Sequence, residues 1–109
     1  SSPTSVGEPG VVPEKFALEQ NYPNPFNSST KISYALSVPS VVTLKVFNVL
    51  GQEVATLFDG ASAAGAFEVV WNGKDNLGRS VSSGVYMYKL HATAGATEFS
   101  QVRKMLLLK

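Results

Sequence analysis

From Lys31 onward the chain alternates apolar and polar positions. Ile32, Tyr34 and Leu36 fall on one side of an extended segment, with Lys31, Ser33 and Ala35 between them. Pro39-Ser40 marks a turn. Val42, Leu44 and Val46 then resume the period of two, with Thr43, Lys45 and Phe47 on the other face. Gly51-Gln52 interrupts the run and Glu53 to Phe58 continues it. Gly60 to Gly65 is small and loop-like. Phe67, Val69 and Trp71 share one face of the next strand. Asn72-Gly73 and Asn76-Leu77-Gly78 are turn chemistry, because Gly and Asn accept positive φ. Val85 to Thr93 is a further strand with Tyr86, Tyr88 and Leu90 on one side, and Glu98 to Leu108 is the last. A period of two places residues i and i+2 on one face of a strand. A helix over Val49 to Phe58 is disfavoured by the β-branched content and the short spacing.

About seven short strands separated by turn residues indicate an all-β fold. The expected architecture is an antiparallel β-sandwich of immunoglobulin or fibronectin type III kind. Trp71, ending an alternating strand, is expected between the two sheets. The chain has 109 residues, 44% of them hydrophobic, which suffices for one domain with one core. Residues 1–15 hold three prolines, two glycines and three serines and read as a linker from an upstream domain. The folded unit is expected over residues 16–109.

Both flanks of that unit are unusual. Asn21-Tyr22-Pro23-Asn24-Pro25-Phe26-Asn27 sets two prolines one residue apart among three asparagines and two aromatics. Proline fixes its own φ and biases the preceding residue to extended geometry. Such a segment borders a sheet rather than crossing its middle. At the other end, Arg103-Lys104-Met105-Leu106-Leu107-Leu108-Lys109 is an apolar run flanked by cations. Two readings fit it. It is an edge strand whose cations block edge-to-edge pairing, or it is a terminal signal read by a receptor.

Nine Lys and Arg against eight Asp and Glu give a net charge of +1, so electrostatics offers no case for nucleic acid. No stretch of 18 apolar residues suggests a transmembrane segment. With no cysteine, disulfides and thiolate metal sites are excluded. His91 is the one histidine, on an alternating strand, and no nucleophile and acid are placed beside it by pattern. Asp75-Asn76-Leu77-Gly78 fails as a calcium loop, since the third position is Leu77 and the twelfth Tyr86. Glu53, Asp59 and Glu68 are scattered acids on separate strands and turns. No catalytic, cofactor or metal site is therefore expected, and the chain reads as something other than an enzyme. Asn27-Ser28-Ser29 fits an N-glycosylation pattern that arises often by chance. Tyr22, Phe26, Trp71, Tyr86 and Tyr88 offer an alternative, a carbohydrate-binding platform, which requires them to be exposed.

Four ordered blocks resemble the C-terminal sorting domains of the bacterial type IX secretion system, type A. The first runs from Phe16 to Asn27. The second is Leu44-Lys45-Val46-Phe47-Asn48-Val49-Leu50-Gly51-Gln52-Glu53-Val54, the third Gly84-Val85-Tyr86, and the fourth Arg103 to Lys109. Ser28 departs from the pattern, where many relatives place another proline. The stretch from Trp71-Asn72-Gly73-Lys74-Asp75 to Gly84-Val85-Tyr86 is also similar to the immunoglobulin-like domain of the flagellar hook-capping protein, the alternative for function. The resemblance implies a non-catalytic address for an exported cargo. It implies the type IX outer-membrane translocon and a surface sortase as partners, a covalently linked upstream cargo, and a location in the periplasm in transit and then at the cell surface or outside. It places translocon recognition on Arg103 to Lys109. Asn21 to Asn27, Gly51, Gly84 and Tyr86 are its motif residues. An unpaired edge at the last strand is further expected to let two copies dimerise at high concentration.

Overall fold

A computed structural model describes Thr4–Ser5 and residues 12–109. Eight strands occur among the described residues: β1 (Thr4–Ser5), β2 (Ala17–Leu18), β3 (Thr30–Leu36), β4 (Ser40–Phe47), β5 (Glu53–Ser62), β6 (Gly65–Trp71), β7 (Gly84–Ala94) and β8 (Thr97–Leu107). They form two four-stranded antiparallel sheets, ordered β1-β6-β3-β2 and β5-β4-β7-β8. The alternating positions explain the layers. Ile32, Tyr34, Leu36, Phe67 and Trp71 from the first sheet meet Val42, Leu44, Val46, Tyr86, Tyr88 and Leu90 from the second in one buried core. This is the immunoglobulin-like sandwich that the alternation predicts.

Trp71 is at the centre of the lower core. Its ring packs on Phe26 at 5.7 Å and edge-on to Tyr86 at 5.4 Å between centroids. Its indole N–H donates to the Lys74 carbonyl at 2.9 Å, so burial leaves the one polar atom of the ring satisfied. Tyr34 packs on Phe67 with its hydroxyl buried and without a hydrogen-bond partner.

Two expectations need correction. Gly60 to Gly65 is not a loop: β5 runs through Ser62, paired residue by residue with Ser40, Val41 and Val42 of β4. Backbone ladders need no large side chains, and only Ala63-Ala64 remain to make the turn into β6. The carbohydrate platform does not form either. Phe26, Trp71, Tyr86 and Tyr88 are core residues, and of the five aromatics only Tyr22 is exposed. Burial of apolar rings against each other outweighs their display to solvent. Most of residues 1–15 lies outside the described part of the chain. Within that stretch, Thr4–Ser5 pairs with Glu68 and Phe67 of β6.

Candidate recognition surface

The two flanking blocks of the sequence meet in space. β8 is an edge strand, with β7 on one side only. Residues 20–26 run along its other side. The Phe26 N–H donates to the Leu106 carbonyl, and the Leu108 N–H to the Phe26 carbonyl, both at 2.9 Å. The Asn24 side-chain oxygen accepts from the Leu106 N–H at 3.0 Å, and the Gln20 amide donates to the Lys104 carbonyl at 2.8 Å. Phe26 makes a parallel bridge to Leu107. The proline-rich segment is thus a strap that occupies half of the β8 edge, from Lys104 onward. Successive residues of a strand point their backbone groups to opposite sides, so Glu98, Ser100 and Val102 continue the same outward row beyond the strap.

The strap is itself anchored. Asn21 is buried, and its amide donates to Thr30 Oγ1 at 2.9 Å and to the Pro23 carbonyl at 3.2 Å. The Asn21 backbone N–H donates to the Tyr88 hydroxyl at 2.8 Å, and that hydroxyl donates to the Glu19 carbonyl at 2.7 Å. Burial raises the Tyr88 phenol above its ordinary range, although the Asn21 N–H and the Arg103 charge pull the other way. Tyr22 bridges to Lys31 of β3. Pro23 and Pro25 both follow cis peptide bonds and, like Asn24 and Asn27, are exposed.

The terminal block divides by parity. Met105 pairs with Tyr86 and Leu107 with Gly84, and both side chains are buried in the core. Arg103 pairs with Tyr88, so it shares that inner side, and its Nε–H donates to the Leu18 carbonyl of the facing sheet. Lys104, Leu106 and Leu108 point outward, with Lys104 and Leu108 exposed and Leu106 half-buried. Exposed Lys109 donates its backbone N–H to Ser83 Oγ at 2.9 Å. Of the seven residues expected to be read by a partner, three therefore tie the sandwich together.

Gly51, Gly84 and Tyr86 have structural places. Gly51, at φ +80°, closes the β4–β5 hairpin as the left-handed residue of the three-residue loop Val49-Leu50-Gly51. Gly84 opens β7 at φ +150°, a conformation that disfavours a side chain. The Tyr86 hydroxyl donates to the Ser82 carbonyl at 2.7 Å.

The polar groups weighed for chemistry are engaged locally. Asp75 Oδ1 accepts from the N–H groups of Leu77 and Arg79, and its Oδ2 from Arg79 Nε at 3.1 Å. The Arg79 backbone N–H, ahead of the other bonds, holds this carboxyl below its usual range. Glu53 accepts from Lys45, Thr56 and Asn76; the Lys45 bond leads in lowering its pKa. His91 Nε2 meets Glu98 Oε2 at 2.7 Å on the outer face of β7 and β8. Among the described residues no three of His, Asp and Glu cluster as metal ligands. No described helix is long and apolar enough to cross a membrane.

Sequence reasoning passed over the hairpin tip. Val49 and Leu50 are 67% and 78% exposed, in positions where turns favour polar residues and Gly. The signal was present as two large apolar residues between Asn48 and Gly51.

An immunoglobulin-like sandwich with a strapped last edge defines the class. The model of the FlgD Ig-like domain matches residues 23–96, and the chain belongs to that family. Among solved structures, FlgD from P. aeruginosa is 26% identical with a TM-score of 0.58, over 72% of this chain and 60% of that one. Dimeric latent PorU from Porphyromonas gingivalis superimposes with a TM-score of 0.69 at 16% identity. That match covers 91% of this chain and 10% of PorU. PorZ from the same organism, a surface component of the type IX secretion system, gives 0.52 at 18% identity over 88% of this chain and 12% of its own. At these identities the PorU and PorZ matches speak for the fold alone. The chain spans about a tenth of each of those two proteins. No curated protein matches the sequence.

Proposed function

We propose that this domain is a non-catalytic C-terminal address that carries an attached cargo through a type IX outer-membrane translocon and is then removed by a surface sortase. One observation carries the reading. The two sequence blocks most particular to the resemblance, Asn21 to Asn27 and Arg103 to Lys109, are bonded to each other and present one continuous flank. The extent of the similarities adds support. The FlgD family model ends at residue 96, before β8, so the terminal block of the resemblance lies outside the part that the FlgD family accounts for. On this reading the outward half of the terminal block, Lys104, Leu106, Leu108 and Lys109, is what the translocon meets. Arg103, Met105 and Leu107 hold the block in place. The domain travels through the periplasm to the cell surface or beyond.

The test is a periplasmic reporter fused to the 109-residue chain in a host with type IX machinery. Export is expected to require the domain. Lys104→Glu with Lys109→Glu is expected to reduce it while the thermal melt stays unchanged. Removing Met105 to Lys109 is the poorer variant, because it deletes two core side chains. Retention of the unmodified fusion would refute the address. The 26% identity to FlgD favours the second reading, a structural module of a hook-capping protein. Under that reading the fusion stays in the periplasm and the chain upstream of Ser1 is a hook-capping region.

A further inference from the structure

The hairpin tip lies next to the terminal block. Val49 and Leu50 line one side of an open groove of about 370 Å³, and Val81 to Val85 line the other. Val85 pairs with Leu106, Met87 with Phe47 and Lys104, and all five of these side chains point outward from the second sheet. The apolar surface therefore continues from the tip across Val85 to Leu106 and Leu108. The tip is held firmly. Asn48 Oδ1 accepts from the N–H groups of Leu50 and Gln52 at 2.9 and 3.1 Å, and its amide donates to Gln52 Oε1. A loop pinned on both sides presents its apolar side chains without the ordering cost of a flexible one.

We infer that Val49, Leu50, Val85, Leu106 and Leu108 form one docking surface, and that its occupant is a different protein with an apolar patch rimmed by carboxylates. Charge decides the occupant. Lys104 sits inside the surface and Lys89 beside it, across from Val102. Among the described residues neither is within salt-bridge distance of a carboxylate; the pairs found are Lys31–Glu68, Lys45–Glu53, Arg79–Asp75 and His91–Glu98. A second copy laid face to face would set lysines against lysines, and like charges at an interface suppress that pairing. Acidic groups around an apolar patch satisfy both features. Tight turns and exposed apolar patches larger than scattered single residues mark interaction sites. The inference rests on the proposed address and extends its receptor contact from the terminal block to Val49, Leu50 and Val85.

Export of the reporter fused to the full chain separates the two ideas. Leu50→Asp is expected to lower export about tenfold or more, as loss of a central apolar contact does, and Leu50→Ser by less. Both are expected to keep the parent thermal melt. Val70→Asp, at an exposed apolar position of the first sheet, is expected to export like the parent, and Lys104→Glu to fall in the same direction as Leu50→Asp. If the parent is exported and Leu50→Asp is too, the docking surface is wrong while the address stands. If the parent is retained, the address falls and the surface with it. If Lys104→Glu exports at the parent rate, the acidic partner is wrong. If the purified chain dimerises and Leu50→Asp abolishes the dimer, a second copy is the occupant and the inference is overturned.

Discussion

The two sheets bury similar cores but turn different faces outward. The outer face of the first sheet carries Ala17, Ser33, Ala35 and Ala66, with Lys31 paired to Glu68 at 3.8 Å. Apart from exposed Val70, and Tyr22 bridged to Lys31, its uncharged side chains are short, and its charges are matched. The outer face of the second sheet carries Phe47, Val85, Met87 and Leu106, with Lys89 and Lys104 among them. A face that only has to be wet needs small or neutral groups. Long apolar side chains with unmatched cations cost solubility unless something covers them. The same contrast runs through β8, whose inner residues build the core while its outer ones stay available.

Breaking the inner side should have the largest effect. Trp71→Ala removes packing against Phe26 and Tyr86 and the bond to Lys74, and is expected to cost about 3–5 kcal/mol. Denaturant unfolding measures it; a loss under about 1 kcal/mol would mean the sandwich is not held there. Arg103 and Lys104, neighbours on opposite sides of β8, sharpen the comparison next. Arg103→Glu leaves the Leu18 carbonyl without its donor and sets a carboxylate against it, for a loss of about 1–3 kcal/mol. Lys104→Glu should stay within about 0.5 kcal/mol. Equal melts for the two variants would erase the difference between the sides.

Titration reads the same contrast. Burial raises the phenols of Tyr34 and Tyr88, so the unfolded chain ionises first as pH climbs past about 10. The unfolded state then binds fewer protons than the native one, and stability falls with rising pH. Glu53 and Asp75, on the exposed side, have lowered pKa values. Their contribution is present at neutral pH and is lost as pH drops through those values, which should give a shallow acid limb. A melting temperature flat from pH 7 to 11 would contradict the buried phenols. The smallest effect belongs to Tyr34→Phe. The deleted hydroxyl has no partner, so the variant should match or slightly exceed the parent in stability. A loss above about 1 kcal/mol would reveal a hydrogen bond to that oxygen.

Much of the fold was legible because period-two alternation survives wherever one face is buried. Ile32, Tyr34 and Leu36 needed no further information. The terminal block was not legible in the same way. Met105 to Leu108 is unbroken apolar sequence, so parity gives two sets but not which set faces the core; pairing of Met105 with Tyr86 decides it. Arg103 belongs with Met105 and Leu107 by parity. Its charge argues for solvent, and only the edge position lets its guanidinium reach Leu18 from the inner side. The strap shows its stiffness in sequence and nothing of its address, since Asn24 finds its partner 82 residues away. Gly60 to Gly65 misled because small residues were read as loop where a backbone ladder suffices.

The latch between Phe26 and Leu106–Leu108 makes the domain a check on length. β8 follows every other described strand, and a chain interrupted before Thr97 leaves β7 without its outer partner strand, the core without Met105 and Leu107, and the Phe26 N–H without its carbonyl. Ribosomal stalling ahead of β8, or a cut that removes β8, thus leaves the sandwich open, whereas a cut ahead of the domain does not. Only a polypeptide synthesised through residue 108 closes the strap onto β8, so the latch forms after every described strand has been made.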